Sequence, residues 1–69
     1  MRRTTRRLTP ADAVSCAKSF GYPWMICEMD HEEGRRKYLR PLRYADEDEF
    51  LAFEGRILAI GYEDGEVEV

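Results

Sequence analysis

The chain is short of the parts that most chemistry needs. It has one histidine, His31, and no apolar run near the roughly 20 residues that a membrane-spanning helix requires. No membrane span is therefore expected. Its five glycines stand singly, so there is no glycine-rich loop to cradle a phosphate. The two cysteines, Cys16 and Cys27, are eleven positions apart and form no CxxC pair; they read as two buried thiols of a reducing compartment. The basic opening MRRTTRR is followed by no apolar stretch of secretory length, which leads to the expectation of a cytoplasmic protein.

What is present is a small, well-mixed chain. With 69 residues it reads as a single compact domain, residues 1–69, whose core must be thin. A hydrophobic content of 43%, including 12% aromatic residues, excludes a disordered chain. The net charge of −3 conceals a division. Residues 1–43 carry ten Lys or Arg against five acids, a balance of +5; residues 44–69 carry one base, Arg56, against nine acids, a balance of −8. Such asymmetry implies a dipolar molecule or a fold that pairs the halves.

Residues 2–8, RRTTRRL, suit a first edge strand, because Thr favours extended backbone and arginine discourages stray pairing. Thr9, Pro10 and Asp12 then resemble a capping box with proline at the first helical position. Apolar side chains at helical spacing follow, and Gly21 with Pro23 ends the run, so a helix is expected over about 10–20. Trp24 to Met29 reads as a strand with Met25, Cys27 and Met29 on one face and Trp24, Ile26 and Glu28 on the other. His31 to Gly34 is a loop of hairpin length, residues 36–39 are the returning strand, and Pro41 ends the ladder.

Residues 46–54 support two readings. As a helix, Asp46 caps the start, Glu49 occupies the third position and Gly55 ends it. As a strand, residues 50–53 would pair with residues 56–62. Two further strands, residues 57–62 and 66–69, flank a Glu63-Asp64-Gly65 turn. The expected fold class is α+β: an antiparallel sheet of four to five strands with one main helix on one face and room for a second short helix. Val14, Phe20, Trp24, Ile26, Ile57 and Ile60 are the expected core.

No catalytic set is expected. Ser15, Cys16 and Ser19 fall on the first helix, and His31 sits in an acidic loop with nothing to bring it to them. The run Asp46-Glu47-Asp48-Glu49 offers hard oxygen ligands, but its spacing lacks the sixth-position glycine and twelfth-position glutamate of an EF-hand loop. No metal and no cofactor is expected. Capping accounts for one or two of these acids and not for four, nor for Glu66 and Glu68, which alternate onto one strand face. Like charges held together repel, so a negative patch of Asp46, Glu47, Asp48, Glu49, Glu66 and Glu68 points to a partner with a basic surface.

The size, the missing catalytic parts, the helix-on-sheet pattern and the acidic run Asp46 to Glu49 together resemble small phage-encoded inhibitors of the anti-CRISPR type. That resemblance implies a non-enzymatic protein that binds a CRISPR effector subunit and blocks its handling of nucleic acid, in the manner of DNA mimicry. The class has no shared motif, so no residue role is carried over. The basic half departs from a uniformly acidic mimic and suits a two-faced binder. The alternative is a nucleic-acid-binding module, with Arg2, Arg3, Arg6, Arg7, Arg35, Arg36 and Tyr38 contacting phosphates and bases. A third reading is a structural or dimerising subunit joined through its sheet edge, the chain otherwise being a monomer or weak homodimer.

Overall fold

A computed structural model describes residues 7–69 of the chain. The order is α1 (Pro10–Phe20), β1 (Trp24–His31), β2 (Gly34–Pro41), a 3-10 helix (Leu42–Asp46), α2 (Asp48–Ala52), β3 (Arg56–Gly61) and β4 (Val67–Glu68). The strands form one antiparallel sheet in the order β2-β1-β3-β4. The architecture is α+β, with a four-stranded sheet, a main helix and a second short helix.

Helix α1 begins as its local chemistry dictates. The Asp12 carboxylate accepts from the Thr9 amide at 2.8 Å, and Thr9 itself is extended, at φ −127° and ψ 162°. It ends at Gly21, whose φ of 83° is open to glycine and whose amide donates to the Ala17 carbonyl at 2.8 Å. The β1–β2 hairpin pairs Trp24 with Pro41 at its open end and His31 with Gly34 at its tight end. Gly34 takes the positive φ of 115° there, so Glu32 and Glu33 need not.

Both faces of the sheet are covered, and this explains the consecutive burial of Met25, Ile26 and Cys27 in β1. Ala13 of α1 packs with Ile26 and Ala59 on one face, backed by Leu8, Trp24, Leu39 and Leu58. On the other, Met25, Cys27 and Met29 meet Phe50 of α2, with Leu42, Tyr44 and Ala45 of the 3-10 helix around them. The second short helix is thus the lid of the Met25 face. Burying a side chain of Phe50's size contributes about 1.5–3 kcal/mol.

A bulge adjusts β3. Ile26 pairs with Ala59 but Cys27 pairs with Ile57, leaving Leu58 as the extra residue. Leu58 and Ala59 consequently both serve the α1 face.

Several expectations need correction. The first strand falls mostly outside the described residues, and residues 7–9 are not in a strand. Phe20 is 58% exposed and Ile57 is 40% exposed, so neither is core; Val14, Trp24 and Ile60 are half-buried, and Ile26 is buried. Their places are taken by Ala13, Ala17, Met25, Cys27, Met29, Phe50 and Ala59. The reason is close approach: a thin helix–sheet seam accepts alanine where a larger side chain would hold the layers apart. Cys27 is buried as expected, whereas Cys16 is only half-buried; both are free thiols.

Candidate functional site: an acidic ridge beside an apolar groove

The acidic run lies where the 3-10 helix hands over to α2. Asp46 ends the first, Glu47 is the extended residue between them, at φ −78° and ψ 146°, and Asp48 and Glu49 open the second. The helical reading of this segment holds, with shifted boundaries. The N-cap is Glu47 rather than Asp46, and its side chain makes no capping hydrogen bond. At the other end Glu54, not Gly55, takes the left-handed conformation, with φ 53°. The Glu54 amide donates to the Leu51 carbonyl at 3.1 Å and the Gly55 amide to the Phe50 carbonyl at 2.7 Å, which is a Schellman ending. Gly55 is required for another reason: a Cβ there would lie 2.6 Å from a carbon of the Phe50 ring.

All four acids of the run are exposed. Glu49 accepts a hydrogen bond from the Tyr44 hydroxyl, which pushes the Tyr44 phenol above its ordinary pKa. Among the described residues no salt bridge reaches Asp46, Glu47 or Asp48. Glu68 sits elsewhere, on β4 at the sheet edge, where it accepts from the Tyr62 hydroxyl at 2.7 Å. Glu66 precedes that two-residue strand, its amide bound to Asp64 Oδ1 at 2.9 Å. Exposed Ile57 borders both a groove containing Asp46 and a hollow containing Glu68. The two acidic groups thus stand on different elements, one at the junction of the 3-10 helix with α2 and the other at the β4 end of the chain, with Ile57 bordering the hollows beside both.

The basic residues are differently placed. Arg35 donates to Asp30 at 2.9 Å and lies 3.4 Å from Glu28 Oε1; Arg36 pairs with Glu33, and Arg56 reaches Glu28 at 4.0 Å. The Arg35 guanidinium holds the Asp30 carboxyl below its usual range, with a hydrogen bond to Glu54 acting in the same direction, while the Glu54 carboxyl is raised by that same contact. Arg40 lies over Tyr38 at 5.1 Å and over Tyr44 at 5.8 Å. Of the proposed nucleic-acid contacts, Arg35, Arg36 and Tyr38 therefore already have partners within the fold; Arg7 is exposed; Arg2, Arg3 and Arg6 lie outside the described residues.

Beside the acidic ridge runs a groove of about 590 Å³ that the sequence reading did not single out. Ile57 of β3, Tyr22 and Pro23 ahead of β1, and Leu42, Ala45 and Asp46 of the 3-10 helix line it, together with Arg43. Arg43 lies over the Tyr22 ring at 5.0 Å. Tyr22 in turn stacks with Trp24 at 6.2 Å and 13°, and Phe20 stands 5.1 Å from Trp24. The dense aromatic stretch FGYPW was the available signal, but two of its rings were assigned to the core.

Among the described residues no three of His, Cys, Asp and Glu converge on a common point that would hold a metal ion. No helix among them is long and apolar enough to cross a membrane. Comparison with protein-family models, with characterised proteins and with solved structures gives no match.

Proposed function

We propose that the protein is a small non-enzymatic binding protein, an inhibitor whose acidic ridge engages a basic, nucleic-acid-handling partner. The observation that carries this reading is the run of exposed carboxylates without ion pairs among the described residues, set against an arginine-rich middle of the chain that is largely engaged within the fold. Arg35, Arg36 and Arg56 are in ion pairs, and Arg40 and Arg43 lie on tyrosine rings. Asp46, Glu47 and Asp48 stand exposed with no salt bridge among the described residues. Three solvated carboxylates in sequence repel one another, and a groove built for phosphates would relieve that repulsion. The resemblance to anti-CRISPR inhibitors supplies a partner class, an effector whose basic nucleic-acid channel the ridge would occupy. Leu51, 67% exposed, and Phe53, 47% exposed, follow in the same segment and add apolar contact area. The nucleic-acid-binding alternative has less support, because Arg35 and Arg36 would first have to leave their carboxylates.

The test is affinity capture from nuclease-treated host lysate, comparing wild type with Asp46→Asn/Glu47→Gln/Asp48→Asn. Glu49 is left unchanged because it holds Tyr44. A nucleic-acid-handling protein captured by the wild type, lost with the variant and released by moderate salt supports the reading. Equal capture by both proteins reduces the run to a solvated helix start and refutes it.

A further inference from the structure

The groove next to the ridge is an unfilled position of the fold. Cys27 and Ile57 are cross-strand partners on the same sheet face. Cys27 is fully covered, yet Ile57 remains 40% exposed, β4 reaching only the Ile60–Gly61 end of its strand. The bulge at Leu58 sends the next two side chains to the α1 face, and the β3 edge beside Ile57 is not paired by β4. An exposed isoleucine forgoes the apolar transfer free energy that a covering neighbour would supply.

The rim of the groove indicates what such a neighbour would be. Arg43 and Asp46 are one turn apart on a 3-10 helix, where side chains three positions apart eclipse. They have opposite charges, yet no ion pair forms between them, because Arg43 is laid over Tyr22. The groove therefore carries an arginine–aromatic contact at Arg43 and Tyr22 and a carboxylate at Asp46, the first residue of the acidic run. Tyrosine and arginine are residue types enriched in binding hot spots, and the acidic run that begins at Asp46 is the charge-bearing border beside them.

We propose that this groove receives one large apolar side chain of a partner segment whose flanking residues are Lys or Arg, the basic flank lying along the acidic ridge. The inference rests on the ridge being the binding surface and adds the anchor and the chemistry of the segment that fills it.

A random-peptide phage library selected on the wild-type protein provides the test, followed by dissociation constants of the enriched peptides for three variants. These are Ile57→Glu, the milder Ile57→Thr that keeps a β-branched residue in the strand, and Asp46→Asn/Glu47→Gln/Asp48→Asn. The expected consensus is an apolar residue next to basic ones. Weakening by roughly tenfold or more is expected with Ile57→Glu, and less with Ile57→Thr. Weakening with the ridge variant and with added salt is expected as well. Enriched basic peptides that respond to the ridge variant but ignore both Ile57 variants would overturn the groove and leave the ridge standing. Peptides that respond to Ile57 but carry no basic residues and ignore the ridge variant would overturn both the proposed segment and the ridge. Failure to enrich any consensus overturns the groove.

Discussion

Gly61→Ala is the sharpest probe of how α1 is seated. A Cβ at residue 61 would stand 2.6 Å from the Ala13 carbonyl carbon and 2.9 Å from the Ala13 Cβ, with the Val14 backbone nitrogen closer still. Ordinary carbon contacts lie at about 3.5–4.0 Å. Either the helix or the strand must therefore give way by roughly 1 Å. The obstacle is helix backbone, which cannot rotate aside as a side chain would. Overpacking of this kind costs about 1–3 kcal/mol. A retreat of about 1 Å also forfeits a quarter to a half of the dispersion energy along the seam. That seam includes Ala13 and Ala17, both 0% exposed, so it has no slack. Replacing glycine in a strand returns about 0.5–1 kcal/mol of backbone entropy. The net expectation is a loss of about 2 kcal/mol, which in a domain of this size lowers Tm by roughly 8–16 °C. Thermal unfolding followed by circular dichroism measures it. Adding Ala13→Gly removes only the Cβ contact and is expected not to rescue the loss. An unchanged or raised Tm for Gly61→Ala would refute the close seating of α1 on β3.

Three further outcomes are expected. Glu54→Gly relieves a left-handed residue and should stabilise the protein by about 1 kcal/mol in urea unfolding at neutral pH. The gain should shrink in acid: the Glu54 carboxyl is raised by its contact with Asp30, so that contact stabilises below the ordinary carboxylate range and fades as pH rises through the raised value. In thiol labelling of the native protein, half-buried Cys16 should react well before Cys27, whose burial shuts out reagent and pushes its thiol pKa up; equal rates would contradict the covered Met25 face. In alkaline titration followed by ultraviolet absorbance, Tyr44 should ionise above the usual phenol range because its hydroxyl donates a hydrogen bond to the Glu49 carboxylate, and Glu49→Gln should bring it down. This bond supports the fold below the ordinary tyrosine pKa and is lost as pH climbs through the raised one.

The parts of the fold that were legible in advance are those set by neighbours in the chain. Thr9, Pro10, Asp12 and Gly21 define both ends of α1 because caps and stops act within a few residues. The Gly34 hairpin and the Asp64-Gly65 turn are local in the same way, and the 3.6 and 2.0 periods locate most of the strands. The acidic run was visible as a chemical feature, and its exposure follows from its charge. How its members are engaged was not visible: Glu68 accepts from Tyr62, six residues away, and Glu49 from Tyr44, five residues away, contacts that no capping or periodicity rule announces.

Local sequence thus set α1, the two hairpins and the concentration of negative charge in the last part of the chain, and left the 46–54 segment open between helix and strand. Tertiary structure alone decided which apolar residues are core. Whether Phe20 or Ala17 faces the sheet depends on how closely a helix can approach Gly61, and that distance is a property of two layers, not of either segment. The same holds for the groove. Ile57 and Phe50 look alike as apolar residues in a sequence, but Phe50 packs onto Met25, Cys27 and Met29, while a bulge at Leu58 and a two-residue β4 leave Ile57 open. Local energies write the menu of elements; the packing of one layer on another, summed over many weak contacts, selects the surface that remains for a partner.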